Sequence, residues 1–373
     1  MQFILSEEQV AIERTAKELV REHLPVTQLR ALRDSADPVG LSRDAWKQMA
    51  DVGFSGISVG EQHGGAGLGL RELGLVVEQC GRTLAATPFL STTVLGAGAI
   101  ELAGSDVQKK NWLPKLCSGD VLLAFALDEG TRFEPADVAM AAAKTESGFV
   151  LSGEKQFVLD GHIADAFIVA ARADAGVTLF IVDAGATGVQ VSRRSVVDSR
   201  NVATVRFDDV AVAEDGVLGG VGGGADTVSV LCDRAAAVLA AEMLGGMQEL
   251  FDRTLEYLKQ RKQFGVVIGS FQALKHRAAK MFCEIELTKS IVAAALDALD
   301  QGAEDAALLA STAKAKASDT FLLVAAEAVQ MHGGIGVTDE LDIGLFYKRA
   351  RVAELSFGAA SYHRDRFARL LGY

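Results

Sequence analysis

The pattern of hydrophobic and polar positions changes character twice along the chain. Near the start, Ile12, Ala16, Leu19, Val20 and Leu24 recur every three or four residues and fall on one helical face. Ser6-Glu-Glu-Gln9 precedes them, a hydroxyl followed three residues later by a carboxamide, which is the signature of a capping box. Pro25 stops this helix, since proline brings no amide hydrogen. A second amphipathic stretch carries Trp46, Met49 and Ala50. The loop HGGAGLG at 63–69 interrupts the pattern, and helices resume around 71–80 and 94–102.

From residue 121 the apolar runs become short and of β type, at 121–127, 149–151, 166–171, 177–182 and 203–212. Turn signals separate them, such as Ser147-Gly148 and ADAG at 173–176. Short strands without interleaved helices predict a small antiparallel sandwich or barrel. The stretch GGVGGG at 219–224 closes this region. It contains GxGxxG-like spacing, but no βαβ unit surrounds it, so a dinucleotide-binding reading fails on context. The glycines read instead as a hinge into the next helix. From 225 onward the chain is helical again, Ala-rich and free of proline, and 308–331 reads as one long buried helix. The expected fold is α+β: an N-terminal helical domain over 1–120, a central antiparallel β-domain over 121–222 and a C-terminal four-helix bundle over 223–373.

Composition narrows the function classes. The formal net charge of −12 disfavours nucleic acid and anionic membrane surfaces as partners. The opening MQFILSEEQ has no basic segment and no long apolar segment, so no secretory signal is expected. The longest clean apolar run, 121–127, is too short to span a bilayer. Cys80, Cys117, Cys232 and Cys283 are widely spaced and read as small buried thiols of a reducing cytosol. The six histidines are scattered, so a cytoplasmic chain without a metal site is expected.

Four ordered motifs are more specific. QKKNWLPKLCSG at 108–119 resembles the helix and turn that enter the β-domain of acyl-CoA dehydrogenases. FDDVAV at 207–212, followed by VLG at 217–219, is similar to that family's exit from the domain. RKQFG at 261–265 with IGSFQ at 268–272 resembles its RxxFG…Q segment, and QMHGGIG at 330–336 its QxxGGxG turn. The resemblance runs over essentially the whole chain. It implies FAD as cofactor, a tetrameric assembly, and a reaction that removes two hydrogens from an acyl-CoA thioester. A carboxylate takes the α-proton while the β-hydride passes to the flavin. Because the α-proton is weakly acidic, a positioned base and hydrogen bonds to the thioester oxygen are needed.

The resemblance also implies that each FAD lies across a subunit interface, in two halves. The half offered to a neighbour is intact: Arg261 matches the arginine on the pyrophosphate and Phe264 the aromatic at the adenine end. Gln272 and Gln330 match hydrogen-bonding positions, Gly333 and Gly334 the close backbone approach, and Gln263 and Ile268 belong to the same segment. The half a subunit keeps is altered. The usual T-E-P region reads LDEGTRFEPAD at 127–137, and the usual W-I-T reads Phe157-Val158-Leu159, in which phenylalanine can stack but leucine supplies no hydroxyl. The usual Y-E-G-T aligns with Ser356-Phe-Gly-Ala359, so Phe357 stands where the glutamate belongs. The alternative base position aligns with Ala235 and a substrate-holding arginine with Ala236.

The chain therefore resembles the non-catalytic-type subunit of actinobacterial α2β2 acyl-CoA dehydrogenases. That implies a related catalytic chain as partner, an acyl-CoA held mainly in that partner, steroid side-chain thioesters as a candidate class, and electron-transfer flavoprotein as acceptor. A self-sufficient dehydrogenase would need Asp233 or Glu354 as a relocated base. A flavin monooxygenase would need none. Glu242 interrupts an Ala/Leu-rich stretch, and a carboxylate buried there requires a partner that the sequence does not reveal.

Overall fold

The structure, a computed structural model, describes residues 4–373. The first third forms α1 (Glu7–His23), α2 (Val26–Asp34), α3 (Arg43–Asp51), α4 (Leu70–Thr83), a nine-residue π-helix (Phe89–Ala97) running into α5 (Gly98–Ala103), and α6 (Asp106–Cys117). The capping box on α1 is made on both sides, with Ser6 Oγ accepting from Gln9 N and Gln9 Oε1 from Ser6 N, each at 3.1 Å. Ser105 and Gln108 repeat the device on α6. The strands are β1 (Leu123–Ala126), β2 (Ala141–Thr145), β3 (Gly148–Leu159), β4 (Ala166–Ala173), β5 (Gly176–Asp183), β6 (Val189–Arg194), β7 (Val202–Ala213) and β8 (Val217–Leu218). Then follow α7 (Gly224–Gln260), a hairpin of β9 (Lys262–Gln263) and β10 (Val266–Val267), α8 (Gln272–Gln301), α9 (Ala306–His332), a 3-10 turn (Gly333–Val337), α10 (Ile343–Leu355) and α11 (Ala360–Leu370).

These elements gather into two compact units. One comprises Leu32–Gly69 and Ala86–Ala235 and contains the sheet. Its strand order is β6-β7-β3-β2-β4-β5-β8, with β1 beside β4. The sheet is mixed, not antiparallel throughout: β1 runs parallel to β4 from Leu123↔Ala166 to Ala126↔Val169, and β2 meets β4 in parallel at Ala141↔Arg172. All four residues of β1 and most of β4 are buried. Such strands show continuous apolar runs instead of alternation, which is the mark of a strand covered on both faces. β2 and β6 escaped the hydrophobic pattern because β2 buries one residue and β6 none. Phe149 and Phe180 pack edge to face at 5.2 Å, and Phe167 and Phe207 at 6.1 Å, in the core of this unit. A lysine lies in that interior. Lys155 is fully buried, and its Nζ donates to Leu127 O at 3.0 Å and to Glu129 Oε1 at 2.6 Å. Glu129 also accepts from the amides of Ala139 and Met140 at 3.0 Å, so neither charge is left alone.

The other unit joins the chain's start through Ala31, Leu70–Ala85 and Ala236–Tyr373. α1 and α4 therefore pack with the C-terminal helices. Three of those helices are long, with 37, 30 and 27 residues in α7, α8 and α9. The shorter α10 and α11 both pack on α9 in place of a fourth long helix. Ala306–Val337 is long and apolar enough to cross a membrane by length and composition. Its α9 portion buries Ala310, Ala313, Ala317, Phe321 and Val324 inside this bundle. Cys80, Cys117 and Cys232 are buried as expected, whereas Cys283 on α8 is exposed.

α4 and α7 touch backbone to backbone. A Cβ on Gly245 would lie 1.8 Å from Glu78 O, and one on Gly81 would lie 2.0 Å from Glu242 O. Gly245→Ala is expected to destabilise the protein by about 1–3 kcal/mol through overpacking. Gly344→Ala, where a Cβ meets nothing within 4 Å at the start of α10, should be neutral or stabilising by up to about 1 kcal/mol. Urea unfolding of the two variants checks both signs.

Candidate functional site

The residues expected to face a neighbour's cofactor lie in the helical unit. Arg261 follows the last turn of α7, its amide donating to Tyr257 O at 2.9 Å. The chain then reverses through Phe264-Gly265, both left-handed with φ of 54° and 81°. Val266 pairs with Gln263 across this two-residue turn. That geometry suits a hairpin, but it normally selects Asn-Gly, so a phenylalanine here is held in a costly conformation. Its ring is 91% exposed and packs edge-on against Phe271 at 6.1 Å. Ile268 N donates to Arg261 O at 2.8 Å, which closes the segment back on the arginine. Gln272, at the first position of α8, is exposed, as is Gln263.

The second segment ends α9. Gln330 is exposed and His332 is buried. Gly333 has φ 66° and ψ −146°, a conformation that a side chain would strain, and a Cβ on Gly333 or Gly334 would meet nothing within 4 Å. The Tyr257 and His332 rings stack at 4.3 Å, so the Arg261 and Gly333-Gly334 segments come to one end of the bundle. Among the described residues no carboxylate pairs with the exposed Arg261 guanidinium. A free guanidinium, an open glycine turn and an exposed aromatic ring form a donor set that fits the diphosphate and base of a nucleotide.

The expected base position lies in the same unit, on the loop between α10 and α11. Phe357 is left-handed with φ 53°, followed by Gly358 at 95°. Two buried side chains grip this loop from within. Lys314 Nζ donates to Glu354 O at 3.0 Å and Gly358 O at 2.9 Å, and contacts Ser318 Oγ at 3.2 Å. His363 Nε2 lies 2.9 Å from Phe357 O and must carry the proton, because a carbonyl only accepts. Burial pushes Lys314 down to about 7. Burial, with the Lys314 charge added to it, pushes His363 down to about 3.

Two carboxylates singled out from the sequence, Glu354 and Glu242, are engaged in this unit. Glu354 accepts from Arg351 Nη1 at 2.6 Å. The partner that Glu242 required is Arg349 on α10, whose Nη1 donates to Glu242 Oε1 at 3.0 Å with both side chains largely buried. Ala236 is a small core residue.

In the sheet-bearing unit, Phe157 sits at an irregularity of β3 between Lys155 and Val158, with φ 51° and its side chain 53% exposed. Leu159 ends the strand. Asp160 next to it accepts from Ser91 Oγ at 2.6 Å, and burial pushes its carboxyl up to about 6. Burial raises Asp128 to about 6 as well. Asp233 and Ala235, early in α7, are buried.

Sequence reasoning missed Tyr257, Lys314, Arg349 and the role of His332. Lys314 had a usable signal: it lies among Ala310, Ala313, Ala317 and Phe321, whose helical spacing marks a buried face.

Three family profiles match the chain in order. They are "Acyl-CoA dehydrogenase, N-terminal domain" over residues 6–120, "middle domain" over 124–210 and "C-terminal domain" over 222–372. Acyl-CoA dehydrogenase FadE27 of Mycobacterium tuberculosis is 31% identical over 336 residues, covering 88% of this chain and 88% of that protein. The ChsE4-ChsE5 complex from Mycobacterium tuberculosis contains a chain of 28% identity with a TM-score of 0.91, covering 100% of this chain and 99% of that one. A variant of the Tcur3481-Tcur3483 steroid ACAD gives 30% identity and a TM-score of 0.89, covering 98% of each chain.

The loop grip has a pH signature. Lys314 titrates near 7 in the folded chain against an ordinary 10.5. Between those values the unfolded chain binds a proton that the folded chain lacks, so its contribution to stability rises with pH. In urea unfolding, wild type should therefore gain on Lys314→Met between pH 7 and pH 9, a window inside the cited shift. A difference independent of pH would contradict the assignment.

Proposed function

Because the chain belongs to the acyl-CoA dehydrogenase family, FAD-dependent oxidoreductases acting on CH–CH bonds, we propose that it serves as the non-catalytic subunit of a heteromeric member. The observation that carries this reading is Phe357, an aromatic ring on the loop where the family's proton-abstracting carboxylate is expected. Phenylalanine accepts no proton, and Glu354 is tied to Arg351. Removal of an α-proton requires an aligned, unengaged base. A self-sufficient enzyme would need Asp233 or Glu354 as a relocated base, and that rival requires turnover by this chain without a partner.

The intact half supports a role in trans. Arg261 would hold the FAD diphosphate of a related catalytic subunit through paired, charge-assisted hydrogen bonds. The exposed Phe264 ring would cover the adenine end. Gln272 and Gln330 would offer carboxamide hydrogen bonds, and Gly333 and Gly334 would let backbone approach the cofactor. Gln263 and Ile268 keep the hairpin that presents this set. In the partner, FAD supplies the hydride acceptor. In this chain, Phe157 retains a stacking surface, while Leu159 lacks the hydroxyl and Ala236 the guanidinium expected around a processed thioester. The likeness to a steroid ACAD makes a bulky steroid-CoA thioester the favoured substrate class of the assembly. Electron-transfer flavoprotein is the acceptor expected of the family.

Two outcomes follow. Arg261→Ala should weaken FAD retention in the assembly by about 1.5–3 kcal/mol, read by titrating FAD into the apo-assembly, and unchanged affinity would contradict the role in trans. Phe357→Glu alone should give no turnover, because Leu159 and Ala236 remain. Bleaching of the flavin by an acyl-CoA in that variant without a partner would contradict the reading.

A further inference from the structure

The end of α7 carries three residues at a spacing of four, Arg253, Tyr257 and Arg261, which places them along one helical face. Each meets the turn after α9 or the ligand that the turn would share. Arg253 Nη1 donates to Asp342 Oδ2 at 2.8 Å, beyond the turn. Arg30 Nε holds the other oxygen of Asp342 at 2.8 Å. Tyr257 stacks on His332, immediately before the turn, with rings 4.3 Å apart and 28° from parallel. Its hydroxyl donates to His332 O at 3.3 Å, the carbonyl of the peptide that enters Gly333. His332 is itself fixed, since its Nδ1 donates to Ala328 O at 2.7 Å. Burial lowers its pKa, which favours the neutral ring, and the Nδ1 bond to Ala328 O sets the tautomer.

We propose that the Tyr257–His332 stack is a positioning pair that sets the distance and peptide orientation between Arg261 and the Gly333-Gly334 turn, so that both engage one FAD diphosphate. The inference rests on the reading that this chain completes a partner's flavin site. An aliphatic side chain at Tyr257 would fill similar space. It would neither fix the plane of His332 nor bond the carbonyl that orients the Gly333 amide. Arg261 lies one turn beyond Tyr257, and the bond from its amide to Tyr257 O transmits any tilt of that last turn to the guanidinium.

The test uses the FAD-containing assembly in which the chain purifies. Tyr257→Leu and Tyr257→Phe are prepared in wild-type and Arg261→Ala backgrounds. FAD dissociation constants are measured on the apo-assemblies, with melting temperature and subunit ratio alongside. Tyr257→Leu is expected to weaken FAD binding on the order of tenfold, and Tyr257→Phe, which keeps the stack, by less. The Tyr257→Leu effect should largely vanish when Arg261 is already alanine, because a misplaced guanidinium and an absent one lose the same contact. Equal effects in both backgrounds, or a lowered melting temperature with FAD affinity intact, overturn the proposal. Unchanged FAD affinity in Arg261→Ala alone instead overturns the trans-site reading beneath it.

Discussion

The buried ion pair between Glu242 and Arg349 is the constraint on which the helical unit's two functional ends depend. Each side chain is largely withdrawn from water, and the two meet at 3.0 Å. Breaking such a pair by removing one partner leaves an uncompensated charge that typically costs about 3–5 kcal/mol, so α7 and α10 are bound to each other in one arrangement. α7 ends at the Arg261 hairpin and α10 ends at the Phe357 loop. The pair also removes Glu242 from any catalytic accounting: it is the counter-charge of a structural arginine.

The Phe357 loop is held in one shape from within, and Phe357 itself offers no proton-accepting group. A non-glycine residue with φ 53° is unfavourable, and such strain persists where surrounding contacts over-determine the backbone. Lys314 and His363 supply those contacts by binding the carbonyls of Glu354, Phe357 and Gly358. On the proposed reading three positions, Phe357, Leu159 and Ala236, set this chain apart from a catalytic one, while Arg261 and the Gly333-Gly334 turn at the other end of the helical unit stay exposed. A chain that keeps what it would give a neighbour and lacks what it would use itself is the physical content of the heteromer reading.

Much of this was legible in the sequence because the signals were local. The Ser6 and Gln9 capping box, the stop at Pro25, the glycine-rich turn before α7 and the turns after Thr145 and Ala173 all depend on residues within a few positions of one another. The motif residues of the candidate site were equally visible. What stayed hidden was non-local. Arg349 lies 107 positions from Glu242, and nothing in local pattern pairs them. Strand direction was hidden because β1, fully apolar, and β4, apolar except for Arg172, carry no alternation from which to infer it. β6 was hidden because none of its residues is buried, so burial left no mark on its composition. Tyr257 and His332 were individually unremarkable until the fold stacked them.

The most direct test of the central claim is the visible flavin spectrum and subunit ratio of this chain purified alone and after co-expression with a related acyl-CoA dehydrogenase chain that carries the glutamate. The account predicts a colourless chain alone and a yellow, equimolar complex with the partner. A stable yellow homo-oligomer, bleached by an acyl-CoA with no partner present, would contradict it and place the base elsewhere in this chain.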